Sequence, residues 1–209
     1  MFKTLAHRSL IRATGGVIAM LLALGASAQT YPDKPVKVVV GFAPGGTNDV
    51  LARLFAQRLQ DRLKQSFVVD NKPGAASMIA AEFVAKAPPD GATLFVASSG
   101  AMTINPALYP KINYDPVADF APVALLGSFP LVVTVNANSP VKSLRELAAA
   151  SKAATGGSLD HGVGSSSFQL AAELLAREAK LKFNHIPYKG SGPAVTALLG
   201  EIGRASCRE

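Results

Sequence analysis

The stretch Val36-Lys37-Val38-Val39-Val40-Gly41-Phe42-Ala43-Pro44-Gly45-Gly46-Thr47-Asn48-Asp49 decides the fold class. Its first half, Val36 to Phe42, is a nearly continuous apolar, β-branched run, the pattern of a strand buried on both faces of a parallel sheet. Ala43 to Gly46 breaks that run, and a helical pattern follows at once. Thr47 or Asn48 is placed to cap a helix whose apolar face carries Val50, Leu51, Leu54, Phe55, Leu59 and Leu63. Strand, glycine turn and helix make one βα unit of an open α/β sheet.

The unit recurs along the chain. Phe67 to Asp70 reads as a second strand, Asn71 to Gly74 as a turn, and Ala76 to Ala87 as an Ala-rich helix. After the break at Pro88-Pro89-Asp90-Gly91, Thr93 to Ala97 reads as a third strand. Ser98 to Pro122 is rich in Pro, Asn and Asp and reads as a long irregular connection, a length that marks a functional loop or a passage between lobes. Leu131 to Val135 is a further strand. Ser143 and Glu146 fit a capping box for a helix to about Lys152, and Ser166 with Gln169 fits a second one. Phe183 to Pro187 is the last strand, and Pro193 suits the first turn of a final helix. A lobe boundary falls near Ala118 to Phe129, so the division expected is 29–127 for a first lobe and 128–200 for a second.

The ends of the chain read differently. Lys3, Arg8 and Arg12 precede the apolar run Val17 to Leu24, and Ala26-Ser27-Ala28 closes it with small residues. This is the pattern of a secretory signal over residues 1–28, cleaved after Ala28, and the run is shorter than the ~20 residues a membrane span needs. Without those three cations the 21 basic residues fall to 18 against 14 acidic ones, a net charge of +4 rather than +7. They are scattered, with no basic run, which argues against a nucleic-acid partner. The single Cys207 makes no internal disulfide, so the exported fold rests on its core. Residues 201–209 break the preceding apolar period and read as foreign sequence appended to a truncated reading frame.

Three strand-to-helix turns carry the candidate chemistry. In an open α/β sheet ligands sit at the carboxyl ends of the strands, where amide N–H groups and helix N-termini favour an anion. Gly45 and Gly46 leave those amides unobstructed, whereas a phosphate-binding loop would need Lys and Ser/Thr where Thr47-Asn48 stand. Gly162 to Ser167 adds amide and hydroxyl donors, among them Gly164, Ser165 and Ser166. Tyr188 and Lys189 supply a hydroxyl and a cation at the third turn, and Ser98-Ser99-Gly100 adds more donors. The competing reading is a secreted serine hydrolase using Ser165 or a neighbour on a small ester or amide. The G-x-S-x-G elbow is missing, and neither His161 nor His185 has triad spacing. An effector-sensing domain of a transcription regulator would need a helix-turn-helix ahead of the sheet, where the signal pattern stands. No metal-ligand spacing occurs and no cofactor motif is present.

Taken in order, these stretches resemble the Bug-type substrate-binding receptors of tripartite tricarboxylate transporters. The resemblance rests on Pro35 to Val40 with Phe42 to Asp49, Val69 to Ala75, Ala85 to Gly91 with Thr93-Leu94, Asn105-Pro106, and Tyr114-Asp115-Pro116 with Asp119 to Pro122. Gly162 to Ser167 and His185 to Gly190 complete it. It implies a two-lobed periplasmic-binding-protein type II fold, with the second half of the first lobe missing, closing on a small carboxylate in the periplasm. It also implies a monomer that presents its ligand to membrane transporter subunits or to a signalling protein, and no catalysis. Carried over by motif, the ligand contacts are Ala43, Gly45, Gly46, Asp49, Gly164, Ser165 and Ser166, with Ser98 and Tyr188 as further candidates. Phe168 stands where members often have His.

Overall fold

The computed structural model describes residues 31–200 and the backbone of 205–208. Every element below belongs to the unit Lys34–Glu209. The secretory pattern over residues 1–28 lies outside the described residues. Among the described residues no helix is long and apolar enough to cross a membrane.

The deciding stretch forms β1 (Val36–Val40), which ends two residues earlier than its apolar run. It is the centre of a three-stranded parallel sheet, between β2 (Phe67–Asn71) and β3 (Thr93–Val96), in the order β2-β1-β3. That central place explains the run of valines: Val36, Val38, Val39 and Val40 are all buried.

Helix α1 (Thr47–Leu63) packs on this sheet through a different face from the one its large residues suggest. Val50, Leu54 and Leu63 are exposed, while Asp49, Ala52 and Ala56 are buried, with Leu59 partly so. Spaced i, i+3 and i+7, these three share one stripe, and the small alanines bring the helix axis close to the sheet. The cap also differs. Gly46 is the N-cap in extended geometry with no side-chain bond, so neither Thr47 nor Asn48 caps the helix.

The second helix begins late. Gly74, Ala75, Ala76 and Ser77 all have positive φ (134°, 45°, 51° and 73°), and α2 runs from Met78 to Ala85. Three consecutive non-glycine residues in the left-handed region make this β2–α2 turn a strained one. The stretch after β3 is partly helical rather than irregular: a π turn at Gly100–Ile104 runs directly into α3 (Asn105–Leu108). Tyr114 folds back over it and its hydroxyl donates to the Ala101 carbonyl (2.5 Å).

The second sheet has four strands in the order β4-β7-β5-β6: β4 (Val132–Thr134), β5 (Leu159–Val163), β6 (Phe183–Pro187) and β7 (Ala205–Arg208). β5 is parallel to β6 and β7, and β4 is antiparallel to β7. Of the segment read as appended sequence, the backbone of 205–208 supplies β7, and 201–204 and 209 lie outside the described residues. Helix α4 (Leu144–Ala153) is capped as expected, the Glu146 N–H donating to the Ser143 hydroxyl. Helices α5 (Ser166–Ala179) and α6 (Ser191–Leu199) follow β5 and β6. Leu147, Leu159, Ala176 and Leu181 form one core cluster, and Val163, Phe168 and Ala172 another. Phe168 thus serves the core.

Candidate functional site

At the end of β1, the turn is built by a buried carboxylate. Asp49 accepts from the Gly45 N–H (2.9 Å), from Arg53 Nε (3.0 Å) and from Asn71 Nδ2 (2.9 Å). The Asn71 amide also donates to the Phe42 carbonyl, and Arg53 Nη2 donates to Asn71 Oδ1. Burial pushes the Asp49 carboxyl up, but the bonds from Arg53, Gly45 and Asn71 outweigh it and hold the pKa below the ordinary value. The same partnership holds Arg53 above its own. Gly45 (φ 86°) turns its amide back toward this carboxylate, a conformation in which glycine carries no steric cost. The Gly45 amide and Asp49 are therefore engaged in shaping the turn. The Ala43 N–H is engaged too, donating to the Lys189 carbonyl of the third turn (2.8 Å).

The second turn follows β5. Ser165 is the N-cap of α5 in extended geometry, yet its side chain makes no capping bond. This corrects the expected capping box, since Ser166 already lies in the helix. The Ser166 hydroxyl instead donates to Asn105 Oδ1 (2.6 Å), and both residues are buried. Ser167 and Ser99 bring their hydroxyls to 3.0 Å. Ser98 Oγ accepts from the Ala101 N–H at the start of the π turn (3.3 Å).

The third turn closes over the other two. The Tyr188 N–H donates to the Val163 carbonyl (2.7 Å), and the Tyr188 ring is half-buried while Lys189 is exposed. Gly164 is packed so tightly that a Cβ there would lie 2.7 Å from Gly190 C and Ser191 N. A Cβ on Gly192 would lie 3.2 Å from the Pro44 carbonyl, and one on Gly46 3.2 Å from Ser191 Oγ. Ala43, Gly45 and Gly46 are thus brought against the Lys189–Gly192 turn, with Asp49 behind them on Gly45, and that turn against Gly164. Ser98 stands one residue from the Ser99–Ser167 contact. The N-termini of α1, α5 and α6 meet in this region, each carrying partial positive charge suited to an anion. An open depression of about 580 Å³ is lined by Pro44, Gly45, Gly192, Pro193, Thr196 and Ala197. Another of about 470 Å³, along Leu170, Glu173, Leu174 and Arg177 of α5, contains none of the turn residues.

Sequence reasoning passed over Arg53, Asn71 and Asn105. The Asp49–Arg53 spacing of four was the available signal for the first, whereas nothing local marks the two asparagines, whose hydrogen-bond partners named here lie 18 to 61 residues away.

The chemistry of a hydrolase finds no support here. Ser166 gives its proton to Asn105, and His161 and His185 face one another, His161 Nδ1 lying 2.9 Å from His185 Nδ1. His185 Nε2 in turn lies 2.5 Å from Glu173 Oε1. Burial first, and the neighbouring His185 second, press the His161 pKa down to about 4 against an opposing pull from Glu173. Among the described residues no group of three or more His, Cys, Asp or Glu side chains is placed to hold a metal ion.

Residues 51–205 match the family described as the tripartite tricarboxylate transporter family receptor. The chain is 40% identical over 205 residues to the protein BugT of Bordetella pertussis, covering 97% of this chain and 61% of that one. It is similar to the solved structure of Rpa4515 from R. palustris with adipate (35% identity, TM-score 0.81), over 85% of this chain and 60% of that one. It is also similar to MatC from Rhodopseudomonas palustris with bound malate (34% identity, TM-score 0.76), over 85% and 61%. The chain therefore spans about 60% of the length of the relatives it matches.

Proposed function

The chain belongs to the tripartite tricarboxylate transporter receptor family, and on that premise we propose that it is an extracytoplasmic solute-binding protein that captures a small carboxylate and releases it unchanged to a membrane partner. The observation that carries this reading is the meeting of three glycine- and serine-rich strand–helix turns, each backed by a helix N-terminus, at the carboxyl ends of two sheets. The malate and adipate of the similar structures are acids that such a set of donors suits.

In this reading the ligand carboxylate is taken by the Gly46 amide, the first amides of α1, the Gly164 turn and the Ser165 hydroxyl, with Ser98 and Tyr188 at the margin. Ala43, Gly45, Asp49 and Ser166 hold those groups in place, since their own polar atoms are already engaged. Residues 29–127 and 128–200 serve as the two lobes, and closure between them captures the acid. Residues 1–28 direct export to the periplasm and are removed after Ala28, residues 201–209 are appended sequence, and the receptor acts as a monomer. Transporter subunits or a signalling protein receive the ligand, and no step breaks a covalent bond.

Gly46→Val tests the turn. Gly46 has φ −85°, which valine tolerates, so the substitution adds bulk at the approach to the α1 amides at the cost of the tight Ser191 contact. Calorimetric titration with malate and adipate is expected to show at least a tenfold loss of affinity, with a cooperative melt retained. Unchanged affinity would remove the turn from the binding site.

A further inference from the structure

Asn105 is among the most completely buried polar residues of the fold, and the proposed receptor reading gives it no role. It opens the short α3 after β3, in the connection that leaves the first sheet. Its side chain reaches two other loops at once. Nδ2 donates to the Ala76 carbonyl (2.9 Å), inside the strained β2–α2 turn, and Oδ1 lies 2.6 Å from Ser166 Oγ, at the start of the helix that follows β5 of the second sheet.

The proton count in this chain is determined by chemistry. A carbonyl oxygen only accepts, so the atom facing Ala76 must be the amide nitrogen, which turns Oδ1 toward Ser166. Oδ1 only accepts as well, so the Ser166 hydroxyl has to donate its one proton to Asn105. Ser166 then has none to give a bound carboxylate, although its motif position suggests a ligand donor. Ser165, whose hydroxyl does not cap α5, and the Ser99–Ser167 pair, which uses only one of its two protons, are left as donors at that turn.

We infer that Asn105 is a positioning residue that latches the loops of the first sheet to the Ser166 turn of the second, and sets ligand affinity through Ser166 rather than by touching the ligand. The inference rests on the receptor reading for its effect on affinity, but the latch itself exists without ligand. A buried hydrogen bond of this kind changes an equilibrium by about tenfold when one partner is removed. Because the two side chains act as one unit, the second removal adds little.

The test uses Asn105→Ala, Ser166→Ala and the double variant of the full chain, with malate and adipate as titrants and ligand-free hydrogen exchange as a second readout. Each single variant is expected to weaken binding about tenfold and the double variant no further. Without ligand, Asn105→Ala is expected to speed exchange at the Phe168 and Gln169 amides across the latch, and Ser166→Ala at Met78 and Ile79. Single losses that multiply in the double variant, or lowered melting temperatures with unchanged affinity, would overturn the inference, as would exchange confined to each variant's own loop. Ser166→Ala removes one hydroxyl only, so it serves should Asn105→Ala fail to fold. If the unaltered chain binds neither acid, the receptor reading fails, and the exchange readout still decides the latch.

Discussion

Asp49 and His161 are both buried ionisable groups, and they fail at different pH. Asp49 carries a depressed pKa because its bonds from Arg53, Gly45 and Asn71 exceed its burial cost, so its contribution is present above the unfolded carboxylate value and lost only in stronger acid. His161 also carries a depressed pKa, at about 4 against an ordinary 6.5. The unfolded chain therefore binds more protons between those values, and stability falls as pH drops from about 6.5 toward 4. The groups facing His161 are His185 on β6 and, beyond it, Glu173 on α5, with the Phe183 ring packed alongside. A shift of that size corresponds to at most about 3 kcal/mol. Urea unfolding between pH 7 and 4.5 is expected to show this loss in the unaltered chain and a shallower slope in His161→Phe; equal slopes would place the proton uptake elsewhere. In the sequence neither histidine has triad spacing, and the structure pairs the two with each other. Asp49 read as a ligand contact by motif, and its burial beneath the turn follows from Asn71, a partner 22 positions away that local pattern does not reveal.

Among the elements, β1, β2, β3 and β6 were legible to within two residues, β1 most directly because a strand buried in a parallel sheet is written as a short apolar run between turn residues. Helix faces were less so. In α1 Val50, Leu54 and Leu63 point to solvent, while Ala52 and Ala56, with Leu59 partly buried beside them, meet the sheet. The β2–α2 turn was illegible as well: Ala75, Ala76 and Ser77 adopt left-handed backbone angles that their residue types do not advertise. The second and third turns depend on glycine more strictly. Gly164→Ala puts a methyl group 2.7 Å from the backbone of Gly190 and Ser191, so the two turns must part. Denaturant unfolding is expected to show a loss of about 1–3 kcal/mol, the usual cost of overpacking, together with weaker carboxylate binding. Stability and affinity equal to the unaltered chain would mean the turns do not bear on one another.

For the whole molecule, the α/β alternation was readable, and the lobe boundary expected near Ala118 to Phe129 falls between the two sheets. The long connection Ser98 to Pro122 and the segment after it carry Val117, Val123 and Leu125, each more than four-fifths exposed, between a three-stranded and a four-stranded sheet. The proposed site lies where the turns after β1, β5 and β6 meet, so every part of the binding account depends on this chain holding both sheets together. The most direct measurement is a calorimetric and thermal-unfolding titration of the unaltered chain with malate and adipate. The account predicts a single saturable site for at least one acid and a melting temperature that climbs by several degrees at about a hundredfold excess over Kd. A cooperative melt that neither acid moves, with no heat of binding, would contradict it.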